Sequence, residues 1–167
     1  MAQEMTNAVR MAQKAGVSVE VVTYPVDESD LSAVHASSVL GIELNRVYKT
    51  LALLGDGRKA NLVVASIPAD CEVDLKALAR AAGYGRVEMV PLKDLFSLTG
   101  YQRGGCSPLG IKRAHQFFLD ERALALPTIA VSAGRRGVQM IIAPSDLLKL
   151  TGGRAAPVAK EAEGAER

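Results

Sequence analysis

A lysine inside an apolar segment is the first feature of this sequence that could do chemistry. Lys49 lies near the start of the run VYKTLALL, residues 47–54, which is otherwise apolar and predicts a buried strand. A partly desolvated ammonium binds phosphate or polarises an ester carbonyl. The alternative is a strand-end lysine whose stem lies on the core while its amine reaches solvent. Thr50 follows it and, in a regular strand, points to the opposite face, so we expect only one of the two to line a given surface.

The second feature is a loop with four glycines, GYQRGGCSPLG, at residues 100–110. Backbone without Cβ atoms can approach a ligand closely and present its amides. One hypothesis is that Gly104, Gly105 and Ser107 donate N–H groups to an oxyanion or a carboxyl-type oxygen. The alternative is a compact structural loop whose glycines only relieve strain. The spacing matches neither the P-loop nor the dinucleotide fingerprint, so phosphate binding through those motifs has no support.

Two other side chains are candidates near these segments. Cys106 lies in the glycine-rich loop, but a nucleophilic cysteine needs a base or a cation beside it. His115 is nine residues further on, and nothing in the sequence brings it to the thiol. We therefore interpret Cys106 as a small packing residue. Tyr24 ends a predicted strand and precedes Pro25, and it is either a half-buried aromatic or a wall of the pocket.

The elements around these residues mix helices and strands without regular alternation. Two hairpins, the first turning at Asp56-Gly57, demand antiparallel pairing, so the sequence predicts an α+β fold with a mixed sheet. Residues 68–72 are predicted to form a loop. Helices are predicted at residues 7–15, 31–40, 74–82, 92–98 and 144–150, and strands at 17–24, 47–54, 61–66, 87–90, 117–119, 128–132 and 138–143.

Length and composition predict one domain with an aliphatic core. The chain has 167 residues and no Trp, and nearly half of it is apolar. We place the domain at residues 1–151. From residue 152 onward the sequence consists mostly of Gly, Ala, Pro and charged residues, so residues 152–167 are predicted to be a disordered tail.

Several classes of function have little support in the sequence. The net charge of +2 is weak evidence for a dedicated nucleic-acid binder, although it allows contact with the end of an RNA. The two cysteines and two histidines have no metal-type spacing, so no metal is expected. No run is long enough to cross a bilayer, and the first residues do not form a signal peptide, so we expect a cytoplasmic protein.

Three motifs in order carry a resemblance to a known family: VYKTL at residues 47–51, GGCSPLG at 104–110 and VSAGRRG at 131–137. From about residue 9 to residue 150 the chain resembles the YbaK/EbsC family, which is related to the editing domain of bacterial prolyl-tRNA synthetases. The resemblance implies a mixed, partly barrel-like β-sheet surrounded by helices, with no cofactor and no metal.

The same resemblance implies trans-editing, a step of translation quality control. Such proteins remove the wrong amino acid from a mischarged tRNA; YbaK-like members clear cysteine from tRNA(Pro), and relatives act on alanine or other small amino acids. We therefore expect an aminoacyl-tRNA deacylase whose partner is the tRNA acceptor end, with prolyl-tRNA synthetase as a further partner. The alternatives are a non-catalytic module that binds an aminoacyl-tRNA or nucleotide end, and a Cys106-dependent enzyme.

Site residues follow from the resemblance position by position. Lys49 matches the essential lysine of the family. Gln139 departs from the family pattern, which usually has an aspartate there, and Ser32 stands where an aromatic is common; both bear on which amino acid is preferred. The Cys106 position accepts cysteine or an aliphatic residue. The substrate-binding positions implied are Tyr24, Thr50, Gly104, Gly105, Ser107, Pro108, Ser132 and Gly134.

An activated ester needs positioning and stabilisation of its oxyanion more than it needs a protein nucleophile. Lys49 and the amides near Gly104 and Gly105 could supply both. No Ser-His-Asp or Cys-His arrangement is visible. The resemblance suggests that a cysteinyl substrate attacks its own carbonyl and leaves as a thiolactone, whereas an alanyl ester would need water.

Overall fold

Ten strands in three sheets carry the fold of residues 5–162, which are the residues that the computed structural model describes. Five α-helices pack around these sheets within the same range: α1 (Asn7–Lys14), α2 (Ala33–Leu40), α3 (Leu75–Ala82), α4 (Leu92–Thr99) and α5 (Pro144–Thr151). The strands are β1 (Glu20–Thr23), β2 (Tyr48–Gly55), β3 (Leu62–Pro68), β4 (Cys71–Val73), β5 (Val87–Met89), β6 (Gln116–Asp120), β7 (Ile129–Arg135), β8 (Val138–Ile142), β9 (Arg154–Ala156) and β10 (Ala159–Glu161).

The largest sheet is mixed, as the sequence predicts. Its strand order is β5-β2-β3-β6-β9, with β2 antiparallel to β3 and β5, and β6 parallel to β3 and β9. A second, antiparallel sheet has the order β1-β8-β7. One parallel bridge, between Val47 and Ala130, joins the two sheets. The α+β, partly barrel-like architecture is thus confirmed, but the sheets do not close into a barrel.

Both faces of the β2–β3 hairpin are buried, which explains its nearly continuous apolar sequence. Ala52 and Val64 face a core shared with α1 and the second sheet. Leu53 and Val63 face the other way, into a smaller core that includes Phe118 of β6. Because successive side chains of a strand alternate, one apolar run supplies both cores.

Local signals set the helix ends where the sequence predicts them. Asp74 precedes α3, and its carboxylate accepts the N–H of Ala77 at 3.0 Å. Gly83 follows α3 in the left-handed conformation, with φ of 85°. Capping by a side chain at one end and glycine at the other satisfies backbone groups that the helix itself leaves open.

The predicted disorder from residue 152 is wrong for much of that segment. Strand β9 pairs with β6, and β10 pairs with β4, where a loop was predicted. The Oδ1 atom of Asp120, which is buried, accepts the N–H groups of Val158 at 3.1 Å and Ala159 at 3.0 Å. These strands exist because partners distant in sequence satisfy their backbone. Residues 163–167 of the predicted tail lie outside the described residues.

Candidate active site

A cavity of about 480 Å³ opens where one edge of β2 loses its neighbours. Strand β5 pairs with β2 only from Leu53 to Gly55. The last hydrogen bond on this edge of β2 is the one that Val90 N–H donates to the Ala52 carbonyl, at 3.0 Å. The second sheet is joined to this stretch of chain by the bridge at Val47, the residue just before β2. The intervening part of β2 forms one wall of the cavity, and the other walls are β5 with α4, the glycine-rich loop, strands β7 and β8, and the segment before α2.

The backbone of Thr50 faces this open edge. Gly55 donates its N–H to the Asn61 carbonyl at 2.8 Å, on the β3 side. The Val47 carbonyl accepts the N–H of Ala69 on the same side, also at 2.8 Å. Alternate residues of an antiparallel strand bond to opposite sides, so the N–H and C=O of Thr50 point away from β3. They belong to the edge that borders the cavity.

Lys49 and Thr50 both line the cavity, which corrects the expectation that only one of them would. The expectation assumed a site on one face of the strand, whereas this site lies at the strand's edge. Thr50 Oγ1 is hydrogen-bonded to Ser66 Oγ at 2.8 Å, which holds its side chain in place. Lys49 is partly buried, and no carboxylate between residues 5 and 162 forms an ion pair with it. Its charge is therefore available to a ligand.

Of the four loop positions predicted to bind substrate, Gly104 alone lines the cavity. Its φ is 83°, and a Cβ there would stand 3.1 Å from the Leu31 Cβ, so a side chain would press on the segment before α2. The amide of Gly105 donates to the Gln102 carbonyl at 2.9 Å. A Cβ on Gly105 would stand 3.2 Å from the backbone nitrogen of Arg136. Gly105 therefore serves the packing of the loop on the β7–β8 turn.

Three further predicted positions, two in the loop and one in β7, also lie outside the lining. Ser107 is fully buried, and its hydroxyl accepts the N–H of Leu109 at 3.2 Å. Pro108 is buried beside it. Gly134, with φ of 101°, packs under Tyr101, where a Cβ would come within 2.8 Å of the ring. The predicted set of several amides is thus reduced to one residue at the cavity, because the loop uses its other polar groups to hold its own shape.

Strands β7 and β8 contribute Ser132 and Gln139, which face each other in register and both line the cavity. Ser132 Oγ accepts the N–H of Gly134 at 3.1 Å. Gln139 is 6 % exposed, and its Oε1 atom has no hydrogen-bond partner among residues 5–162. The structure therefore places Gln139, the residue that differs from the family pattern, in the cavity wall, where its Oε1 atom is available as a hydrogen-bond acceptor.

Two buried side-chain atoms within residues 5–162 lack a hydrogen-bond partner, and both belong to cavity residues: the Tyr48 hydroxyl and Gln139 Oε1. An unpaired buried polar group costs about 1–3 kcal/mol, so Gln139 Oε1 marks a place where a ligand in the cavity would complete the structure. The Tyr48 hydroxyl instead interacts electrostatically with Asp120 and Arg122, which lie outside the lining. Burial, reinforced by the Asp120 carboxylate, raises the pKa of the Tyr48 phenol, which keeps its proton. Sequence reasoning missed Tyr48 as a site residue, although a tyrosine in a buried strand needs a partner.

The segment before α2 supplies the rim. Tyr24 lines the cavity, and its ring meets that of His35 edge to face, with centroids 6.3 Å apart. Ser32 also lines the cavity, and its Oγ accepts the His35 N–H at 3.1 Å, which caps α2. The Ser32 hydroxyl and N–H lower the pKa of the exposed Asp30 carboxyl, which thus stays ionised at the rim.

Cys106 lines the cavity but is not set up as a nucleophile. Burial raises the pKa of its thiol to about 12, although a hydrogen bond with Thr99 acts in the opposite direction. The thiol is therefore neutral near pH 7, and thiolate is the reactive form. His115 bonds to the Arg113 carbonyl at 2.7 Å and is not part of the lining. The packing interpretation of Cys106 agrees with this arrangement.

The described residues include neither a metal-binding cluster nor a membrane-spanning helix. Residues 5–162 contain no group of three or more His, Cys, Asp or Glu side chains that could hold a metal ion. None of the helices in that range is long and apolar enough to span a membrane.

Comparison with known proteins gives a consistent result. A family model described as an aminoacyl-tRNA editing domain matches residues 28–150. The chain is 45% identical, over 93% of its length and 94% of the relative's, to an Enterococcus faecalis protein named "Putative Cys-tRNA(Pro)/Cys-tRNA(Cys) deacylase EbsC". It is 25% identical to the Bacillus subtilis "Uncharacterized protein YwhH", over 72% of its length and 75% of that relative's. A solved structure described as "a putative trans-editing enzyme for prolyl tRNA synthetase" shares the fold, with a TM-score of 0.77 at 23% identity over 94% of this chain and 99% of that one.

Proposed function

This chain belongs to the aminoacyl-tRNA editing domain family, and from that premise we propose that it is a trans-editing deacylase that removes cysteine from mischarged tRNA(Pro). The observation that carries the proposal is one cavity lined both by Lys49, which has no ion-pair partner among residues 5–162, and by Gln139, whose Oε1 atom has no hydrogen-bond partner in that range. A ligand with an electron-rich carbonyl and a hydrogen-bond donor satisfies both, and an aminoacyl ester has both groups.

Each residue has a role in this proposal. The Lys49 ammonium faces the acyl oxygen and stabilises the negative charge that develops there. Gly104 lets the loop backbone approach the same group closely. Gln139 Oε1 accepts a hydrogen from the α-ammonium group, and the exposed backbone of Thr50 lies along the acyl chain.

The chemical step uses the substrate's own nucleophile. The thiol sulfur of the cysteinyl group attacks the acyl carbon, the ester C–O bond breaks, and the thiol proton ends on the released ribose hydroxyl. The product is a cyclic thiolactone, which water opens afterwards. For an alanyl ester, water attacks instead, and its hydrogen goes to the same ribose oxygen. The protein needs no nucleophile of its own, in keeping with the neutral Cys106 thiol.

The partners follow from this chemistry. The acceptor end of a mischarged tRNA is the substrate. Prolyl-tRNA synthetase, which produces the mischarged tRNA, is the partner protein from which the tRNA would be transferred. We place the reaction in the cytoplasm, where tRNA is charged.

A deacylation panel tests the proposal. Cysteine, alanine, serine and proline are each attached to tRNA(Pro) and to their own tRNA, and release of amino acid is followed over time. We expect the fastest release for cysteine on tRNA(Pro) and little for proline. Equal release of serine and cysteine would contradict the thiol step. Binding of every aminoacyl-tRNA without release would instead favour the non-catalytic module.

A further inference from the structure

One aromatic side chain of this protein is left in solvent. The chain has three phenylalanines, and Phe117 and Phe118 are 3 % and 1 % exposed, whereas Phe96 on α4 is 62 % exposed. Trp is absent and aromatic residues are few, so the exposure of a large ring is not a consequence of abundance. An exposed apolar group of this size, next to other exposed apolar groups, is typical of a binding surface.

Phe96 lies one helical turn from a residue of the cavity wall. Leu92 is 63 % exposed and lies four residues before Phe96, so the two side chains share one face of α4. Met89, at the end of β5, is 47 % exposed. Leu92 and Met89 also line the cavity. Met89 and Leu92 thus belong both to the cavity lining and to the exposed surface, and Phe96 lies one helical turn from Leu92; we call these three residues the α4 patch.

Cations accompany the α4 patch. Lys93 is exposed on α4, and Arg103 is exposed where the glycine-rich loop meets the cavity. Neither has an ion-pair partner in the part of the chain that the structure describes. The nearby carboxylate of Asp94 is already paired with Lys59, at 3.7 Å. The surface therefore offers an apolar face with uncompensated positive charge beside it.

We propose that the α4 patch is the platform on which the unpaired terminal bases of the tRNA acceptor end stack, with Phe96 against a base and Lys93 and Arg103 near the phosphates. The inference rests on the proposed function. An acyl group inside the cavity leaves its ribose at the mouth and its base outside, beside Leu92. Single-stranded bases are held by stacking on aromatic rings and by cations that follow the backbone. This combination explains how a chain of net charge +2 holds a tRNA end.

A fluorescent trinucleotide tests the platform without any deacylation. The probe is the uncharged sequence CCA with 2-aminopurine in place of the terminal adenine, whose emission falls when the base stacks. The variants are Phe96→Ala, Phe96→Tyr and, as a matched control, Leu124→Ala, which removes a side chain that is 57 % exposed away from the cavity. We expect Phe96→Ala to weaken binding about ten-fold and to lose the quenching, while the other two variants behave like the unaltered protein.

A second readout separates this inference from the proposed function. In deacylation of cysteinyl-tRNA(Pro), Phe96→Ala should raise KM about ten-fold with kcat unchanged, because stacking binds ground state and transition state equally. Unaltered probe binding in Phe96→Ala, or an equal loss in Leu124→Ala, would overturn the platform. The platform would also be overturned if the unaltered protein were a dimer that Phe96→Ala converts to a monomer, because Phe96 would then serve the contact between two copies of the chain. If the unaltered protein binds the probe through Phe96 but releases no amino acid, the deacylase proposal fails and the platform stands.

Discussion

Lys49 and Thr50 are neighbours on β2 whose side chains point to opposite faces of the strand, yet both line one cavity. The cavity borders the edge of the strand, at the point where β5 has ended and the second sheet has only begun. The site therefore combines the partly buried cation of Lys49 with a hydroxyl held by Ser66 and with the backbone groups of Thr50 that point away from β3. Several measurable consequences follow from this arrangement.

Removal of the Lys49 charge should abolish turnover and spare the fold. Lys49→Ala is expected to lower kcat/KM on cysteinyl-tRNA(Pro) by about a hundred-fold or more, the usual cost of losing one oxyanion-stabilising group. The melting temperature should hardly change, since Lys49 has no ion-pair partner among the described residues. Lys49→Arg is the control that keeps the charge and should retain part of the activity. Full activity of Lys49→Ala would remove this lysine from the mechanism.

Replacement of Gln139 should separate stability from substrate binding. Gln139→Leu removes the unpaired buried acceptor, so the free energy of unfolding should rise by about 1 kcal/mol. The same change removes the proposed partner of the substrate's ammonium group, so KM should rise about ten-fold. Gln139→Glu keeps an acceptor oxygen at the same reach and should retain substrate binding. Denaturant titration and steady-state kinetics check the two effects; a Gln139→Leu variant with lower stability and unchanged KM would contradict the assignment.

Cys106 should be dispensable for catalysis. Cys106→Ala is expected to keep kcat within about two-fold, since a thiol whose pKa burial raises to about 12 supplies no thiolate near pH 7. Deacylation of cysteinyl-tRNA(Pro) by the purified variant is the measurement. An inactive but folded Cys106→Ala protein, with a normal circular dichroism spectrum, would point back to the Cys106-dependent enzyme.

The buried thiol also predicts alkaline destabilisation. In the unfolded chain Cys106 loses its proton near its ordinary value of 9.0, whereas the folded protein holds the pKa at about 12. Between these values the unfolded state binds fewer protons, so the free energy of unfolding falls as pH rises, by up to about 1.4 kcal/mol per pH unit for one such group. Tyr101, with its pKa raised to about 12 by burial, adds to the fall above pH 10.0. Urea titrations from pH 8 upward should show a shallower fall for Cys106→Ala; identical slopes would contradict the buried-thiol explanation.

The C-terminal strands should contribute measurably to stability. Asp120→Ala leaves the N–H groups of Val158 and Ala159 without their acceptor, so we expect a loss of about 3 kcal/mol in the free energy of unfolding. Glu121→Ala changes an exposed neighbouring carboxylate and serves as the control. Thermal unfolding of both variants is the measurement. If Asp120→Ala were as stable as the control, β9 and β10 would contribute little to the free energy of unfolding.

Much of the fold can be predicted from the sequence because its signals are local. Asp74 and Gly83 bound α3 through contacts within one helical turn, and the apolar run of β2 predicts a buried strand before its neighbours are known. Strands β4, β9 and β10 escaped prediction because each has only three residues and lies in a segment of Pro, Gly, Ala and charged residues, which is typical of loops. They show no usable alternation, and their stability comes from pairing and from Asp120.

The sequence by itself determined which residue types could act on an ester: a lysine in an apolar strand, a loop of glycines, and three motifs in the order of an editing family. Only the tertiary structure decided which of them meet. Gly104 lines the cavity, whereas the Gly105 amide donates to the Gln102 carbonyl. Gln139 lies in the cavity wall, and its Oε1 atom is unpaired among the described residues. Residue type sets the chemistry that is available, but access to a ligand depends on which backbone and side-chain groups the rest of the fold has already paired.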